Sequence, residues 1–168
     1  MKLRTITTTL LVILGAATPV IAHSSRHARI LRSTGECLSC DLSGWKFRKS
    51  KHNYINVTGS NLRKANLSEA NLQNANLSYT DLSEAKLDAA NLQNANLEGA
   101  ILDSANLWGA NLQGANLRGA VFNNAVFWNA DLRGADLRGT DLTGASFIDA
   151  DVSGAILPGG LIYIEEEK

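Results

Sequence analysis

The feature that most constrains this chain is a bulky apolar residue at every fifth position. Counting by fives, Leu, Phe or Val stands at Leu42, Phe47 and Val57, at every step from Leu62 to Leu142, and at Phe147, Val152 and Leu157; His52 alone interrupts the series. Two residues before each centre from Leu67 to Leu157 sits Ala, with Thr80 and Thr140 as small exceptions. An α-helix turns about 100° per residue, so this period would scatter the leucines around its cylinder. A flat strand alternates faces, so an odd period would send successive leucines to opposite sides. The register runs over residues 40–159 without an insertion, 24 consecutive pentapeptides, and a repeat of that length decides the architecture.

Within one unit the pattern is inward Ala, outward polar, inward Leu and two outward residues. In-out-in is a short extended segment, and two outward residues in succession mark a corner. Corners that bend the same way wind the chain into a solenoid whose coils stack about 4.8 Å apart through strand-like hydrogen bonds. Leu fills the narrow interior, and Ala is what still fits beside it at interior packing density. Burying each Leu is worth roughly 1.5 to 3 kcal/mol, most of which offsets the entropy of ordering its pentapeptide. The five-residue period does not fix the number of sides, but residues 20 apart match often: Trp108 with Trp128, Phe127 with Phe147, Gln73 with Gln93 and Gln113, Arg118 with Arg138, Asp131 with Asp151. Twenty residues correspond to four sides, although duplication of a 20-residue unit would leave the same trace.

Tandem A(N/D)LXX, as in ANLQGANLRGA at residues 110–120, resembles the signature of the pentapeptide-repeat family. The resemblance implies an all-β, right-handed quadrilateral β-helix of about six coils. It implies little about function, because relatives range from DNA mimics to proteins of no assigned activity.

The chain opens MKLRTITTTLLVILGAATPVIAH, with Lys2 and Arg4 ahead of an apolar stretch and with Val20 and Ala22 at signal-peptidase spacing. Residues 1–22 read as a cleaved secretory signal. A membrane anchor needs about 20 predominantly apolar residues, and this stretch is shorter and broken by threonines and Pro19. The processed chain is therefore expected not to be an integral membrane protein. Its 14 basic and 16 acidic residues leave it near neutral, without the basic stripe of a nucleic-acid binder or the acidic surface of a DNA mimic.

Residues 23–39 read as a capping helix and Cys segment, with Ser24 or Ser25 as N-cap, Gly35 as terminator, and Ala28, Ile30 and Leu31 as its apolar side. Such a lid covers the open end of a solenoid. Pro158, Gly159 and Gly160 are expected to stop the repeat, leaving residues 160–168, with the run LIYIEEEK, as a second cap or acidic tail. Cys37 falls on a central position and Cys40 on the small position of the next unit, so both point inward across one corner. A structural disulfide fits an exported chain. A redox CxxC wants a βαβ setting, and a zinc site wants two more ligands that His23, His27 and His52 are not spaced to supply. The segment TGECLSCDL resembles the start of secreted cyanobacterial members of the family, which implies the periplasm or the thylakoid lumen.

Catalysis needs converging groups in a pocket, and here the polar side chains radiate outward. No catalytic, cofactor-binding or metal-binding residue is assigned. Asp131 and Asp151 stack on one face as a solvated ladder, with Arg133 beside Asp131 as a surface ion pair. His52 is expected to turn outward on a local bulge, since an unpaired polar group in an apolar interior is costly; a ligand or pH-sensing role is the sharper alternative. The Asn-X-Ser/Thr matches at Asn56, Asn66 and Asn76 follow from Asn being the usual outward residue.

One outward column differs. Trp108, Trp128 and Ile148 occupy the same position of three successive coils, with Val126 two residues before Trp128 on the same face. Exposed apolar residues so aligned mark an interaction site, and Trp is a favoured anchor; alternatively the rings lie flat and merely cover the interior. Ile101 and Val121 form a weaker stack on another face. The sequence thus points to an exported, non-enzymatic module presenting a rigid surface to a protein partner, as a monomer or weak homodimer. The competing readings are a gyrase-protecting DNA mimic and a thiol redox protein using Cys37 and Cys40.

Overall fold

The computed structural model describes residues 21–159, with side chains from Arg26 onward. Among the described residues one helix is formed, α1, Ile21–Thr34. Gly35 ends it in the left-handed region (φ 74°), its N–H donating to the Leu31 carbonyl at 2.9 Å. The helix starts at Ile21, so Ser24 and Ser25 lie inside it and neither is its N-cap. The expected cleavage after Ala22 falls within the first turn of α1. The rest of the signal and the C-terminal tail lie outside the described residues.

From Glu36 onward each pentapeptide contributes one parallel bridge residue, and every bridge joins residues 20 apart, from Glu36↔Asn56 to Asp136↔Ile156. That constant offset makes the coil four-sided. Each side is too short to form a conventional strand, yet the ladder is unbroken: Leu62 N–H donates to the Asp81 carbonyl at 2.7 Å, and Asn61 N–H to the Cys40 carbonyl at 2.8 Å. The bridging begins one side earlier than the expected boundary at residue 40, because the Cys37 segment already runs in register beneath Asn56 and Val57.

Every corner has the same chemistry. The residue two after each centre has positive φ, in series from Ser39 to Gly159, and the Ala that follows donates back to the centre's carbonyl, as Ala65 does to Leu62 at 3.0 Å. One positive φ at the third residue of an i to i+3 turn is the type II geometry. It explains why Gly recurs at this position in the C-terminal half. Pro158 and Gly159 occupy the two central turn positions that this geometry favours, and Gly159 has φ 86°. They form the corner that closes the last described pentapeptide, and the expected stop of the repeat beyond it lies outside the described residues.

Each Asn or Asp at a bridging position has a second task beyond being polar. Its side-chain oxygen accepts the backbone N–H two residues on, as Asn61 does from Arg63 (3.0 Å), Asn111 from Gln113 (3.0 Å) and Asp151 from Ser153 (3.0 Å). These bonds satisfy corner amides that the coil ladder does not reach. Inside, the centres from Leu62 to Leu137 are at most 3% exposed. Phe127 and Phe147, one coil apart, stack at 4.7 Å with planes 3° apart, so side chains repeat at the coil spacing.

Candidate interaction face

Trp108, Trp128 and Ile148 are 50%, 43% and 55% exposed, and Val126 is half-buried beside them. Backbone bonds tie the column together: Gly109 N–H donates to the Trp128 carbonyl at 2.8 Å and Asn129 N–H to the Ile148 carbonyl at 2.9 Å. The Trp128 indole Nε1–H donates to the Ser146 hydroxyl at 2.7 Å. Ser146 is the bridge partner of Val126 one coil on, so the ring is anchored along the stack. The apolar run is confined to these three coils. Earlier in the same column stand Arg48, Ser68 and Asp88, the last two joined by a 2.7 Å hydroxyl-to-carboxylate bond. On the neighbouring face Ile101 is 41% exposed and Val121 half-buried.

The remaining sequence candidates resolve into structural roles. Arg133 grips Asp131 through Nε at 2.9 Å and Nη2 at 2.7 Å, and approaches Asp151 at 3.5 Å. That guanidinium is the cation of the carboxylate ladder. Its hydrogen bonds, helped by Gln113, hold the Asp131 carboxyl down at about 2 against partial desolvation. Cys37 and Cys40 form a disulfide with Cα atoms 5.6 Å apart, 3% and 8% exposed. Among the described residues no three His, Cys, Asp or Glu side chains are grouped to hold a metal, and no helix is long and apolar enough to cross a membrane.

His52 departs from expectation. Its coil does not bulge: His52 N–H donates to the Asn71 carbonyl at 2.8 Å and Lys51 bridges Asn71 in register. The ring is half-buried, edge-on to Phe47 at 5.2 Å, and lines a void of about 10 Å³ with Leu31, Ile55, Val57 and Leu62. The imidazole takes the place of a central Leu because the first coil has α1, not another coil, above it. Desolvation, with Arg32 of α1 adding repulsion, lowers its pKa below the ordinary histidine value.

Comparison with known proteins follows the repeat. The family model for pentapeptide repeats matches in overlapping segments, 40–78, 65–103, 80–119, 100–139 and 120–159. No protein with a curated description matches. Among solved structures, a pentapeptide repeat protein from the cyanobacterium Cyanothece is 30% identical over 76% of this chain and 93% of its own, with a TM-score of 0.37. One from Nostoc is 35% identical over 67% and 79%, with a TM-score of 0.40. One from the Arabidopsis thaliana thylakoid lumen is 28% identical over 74% and 66%, with a TM-score of 0.38. With family matches spanning residues 40–159, a 20-residue bridge offset and Ala/Leu-filled coils, the chain belongs to the pentapeptide-repeat family, whose members form right-handed quadrilateral β-helices.

Proposed function

We propose that this protein is an exported, non-enzymatic scaffold that offers the Trp108, Val126, Trp128 and Ile148 face to a protein partner. The observation that carries the reading is the alignment of three large, half-exposed apolar side chains in one column on consecutive coils of a rigid rod. Because the backbone ladder and the Trp128–Ser146 bond fix the column, little ordering cost remains on binding. Export, to a periplasm or thylakoid lumen, is supported by the leader-like residues 1–22 and by the Cys37–Cys40 disulfide, which suits an oxidising compartment.

The competing readings find less support. A DNA mimic wants an unopposed acidic face, whereas here Glu69 pairs with Arg48 and Lys49, and Glu84 with Arg63 and Lys64. A thiol redox protein wants accessible sulfur, and this disulfide is buried beneath α1. Affinity capture from the exported fraction tests the proposal. The native protein should retain a partner that the Trp108→Arg/Trp128→Arg variant loses, with the far-UV circular dichroism unchanged. Equal retention by both, or none, would return the tryptophans to surface cover.

A further inference from the structure

We propose that His52 is an acid-sensitive latch that holds α1 over the open end of the solenoid. The first coil has no preceding coil to pair with, and α1 supplies substitutes. Leu31, 2% exposed, closes the interior together with Phe47 and His52. Arg32 lies over the Trp45 ring at 5.5 Å. His27 Nδ1 accepts the Asp41 backbone N–H at 3.0 Å, an amide that in later coils bonds to the preceding coil's carbonyl, as Asn61 does to Cys40.

The groups around His52 are apolar except for one cation. From the solenoid come Phe47, Ile55, Val57, Leu62, Leu67, Leu72 and Leu77; from α1 come Leu31 and the Arg32 cation; no carboxylate lines the void. The neighbouring Lys51 is exposed and points outward. An imidazolium formed here would lack a counter-ion, would sit edge-on to an apolar ring, and would face a second cation across the junction. Lifting α1 removes Arg32 from the junction and opens the half-buried ring further to water, which offsets the missing counter-ion, while the Phe47 contact stays with the solenoid. Opening exposes the first coil's unpaired edge and its Phe47 interior, so acid would convert a closed end into a surface able to pair with another chain.

The sign follows from linkage. In the open state His52 titrates near 6.5, and in the closed state lower, so the open state binds more protons and gains population as pH falls below about 6.5. One proton limits the effect to about tenfold per pH unit, until the closed-state pKa is passed.

Hydrogen exchange read peptide by peptide on the full, disulfide-intact chain from pH 7.5 to 5, corrected for intrinsic rates, tests this. Protection of α1 amides in the 27–34 region should fall by up to about tenfold per pH unit below 6.5, while residues 62–137 stay unchanged. In His52→Leu, which restores the repeat's own residue and so should fold, the response should vanish. In Arg32→Gln the total loss should shrink, because the closed-state pKa then lies nearer the open one. A pH-independent α1 in the native chain, or an undiminished response in His52→Leu, would overturn the proposal. So would a response that disappears only in His27→Gln, which would assign it to the Asp41 contact instead.

Discussion

The central coils and the first coil are built on one backbone and filled by different rules. Between Leu62 and Leu137 nearly every inward position is Ala, Leu or Phe, each as buried as the next. In the first coil the inward positions hold Leu42 together with Cys37, Cys40, Trp45, Phe47, Ser50, His52 and Ile55, and several remain half-buried. A coil with neighbours on both sides needs only small and large apolar side chains in alternation. A coil at an end must also satisfy backbone amides and cover apolar surface without a neighbour, so it recruits α1, a disulfide and two histidines. The last described coil is a third case: Leu142, Phe147 and Val152 are only partly buried.

The largest expected effect breaks the equivalence of the coils. Leu112→Ala, at a fully buried centre, should cost about 2 to 5 kcal/mol, since a narrow rod held by its ladder cannot collapse around the hole. Leu142→Ala should cost less than half of that, because the side chain is already partly exposed. Urea titrations followed by far-UV circular dichroism would compare them, and equal costs would contradict the graded interior.

Next is the end itself. Removing the disulfide as Cys37→Ser/Cys40→Ser should cost about 2 kcal/mol by loop-closure entropy, a small value because the loop is short. The loss should be confined to exchange protection in α1 and the first coil, leaving residues 62–137 as before.

A smaller effect separates two corners of identical backbone. Gly99 and Gly109 have φ 62° and 63°, but a Cβ on Gly99 would come within 2.6 Å of the Tyr79 ring, whereas Gly109 faces open space. Gly109→Ala should cost about 1 kcal/mol for the left-handed conformation alone. Gly99→Ala should cost more, and Tyr79→Ala in the same chain should remove the difference.

The smallest effect is electrostatic. Asp131→Asn should cost no more than about 1 kcal/mol, since its partner Arg133 is half exposed and screened by solvent. The Asp131 carboxyl, held near 2, contributes stability that is present above the ordinary Asp value of about 3.9 and is lost as pH falls toward 2. Acid titration of the native chain against Asp131→Asn should show that increment above about pH 4 and its progressive loss between about pH 4 and 2.

What the sequence discloses follows the same division. The five-residue period places every corner and inward side chain of the central coils, and the likeness at 20 residues finds four sides, because each repeating unit sees the same surroundings. The inward register of Cys37 and Cys40 is legible for the same reason. His52 is not, because the cost of a buried imidazole depends on how completely α1 closes the end, which periodicity does not report. The corner at Pro158 and Gly159 is legible from residue identity as well, since these are the residues a type II turn prefers at its two central positions. The aligned tryptophans can be read from the chain, but the bond from Trp128 to Ser146 requires the coil offset as well as the repeat.

The central claim is that the Trp108, Trp128 and Ile148 column is where a partner sits. Its most direct test is site-specific photocrosslinking in the native compartment, with a photoreactive phenylalanine derivative placed singly at positions 108, 128 and 148, and, as controls on another face, at positions 58, 98 and 118. A common adduct from the first three positions and none from the controls is expected. The same adduct from both faces, or no adduct from either, would contradict the assignment.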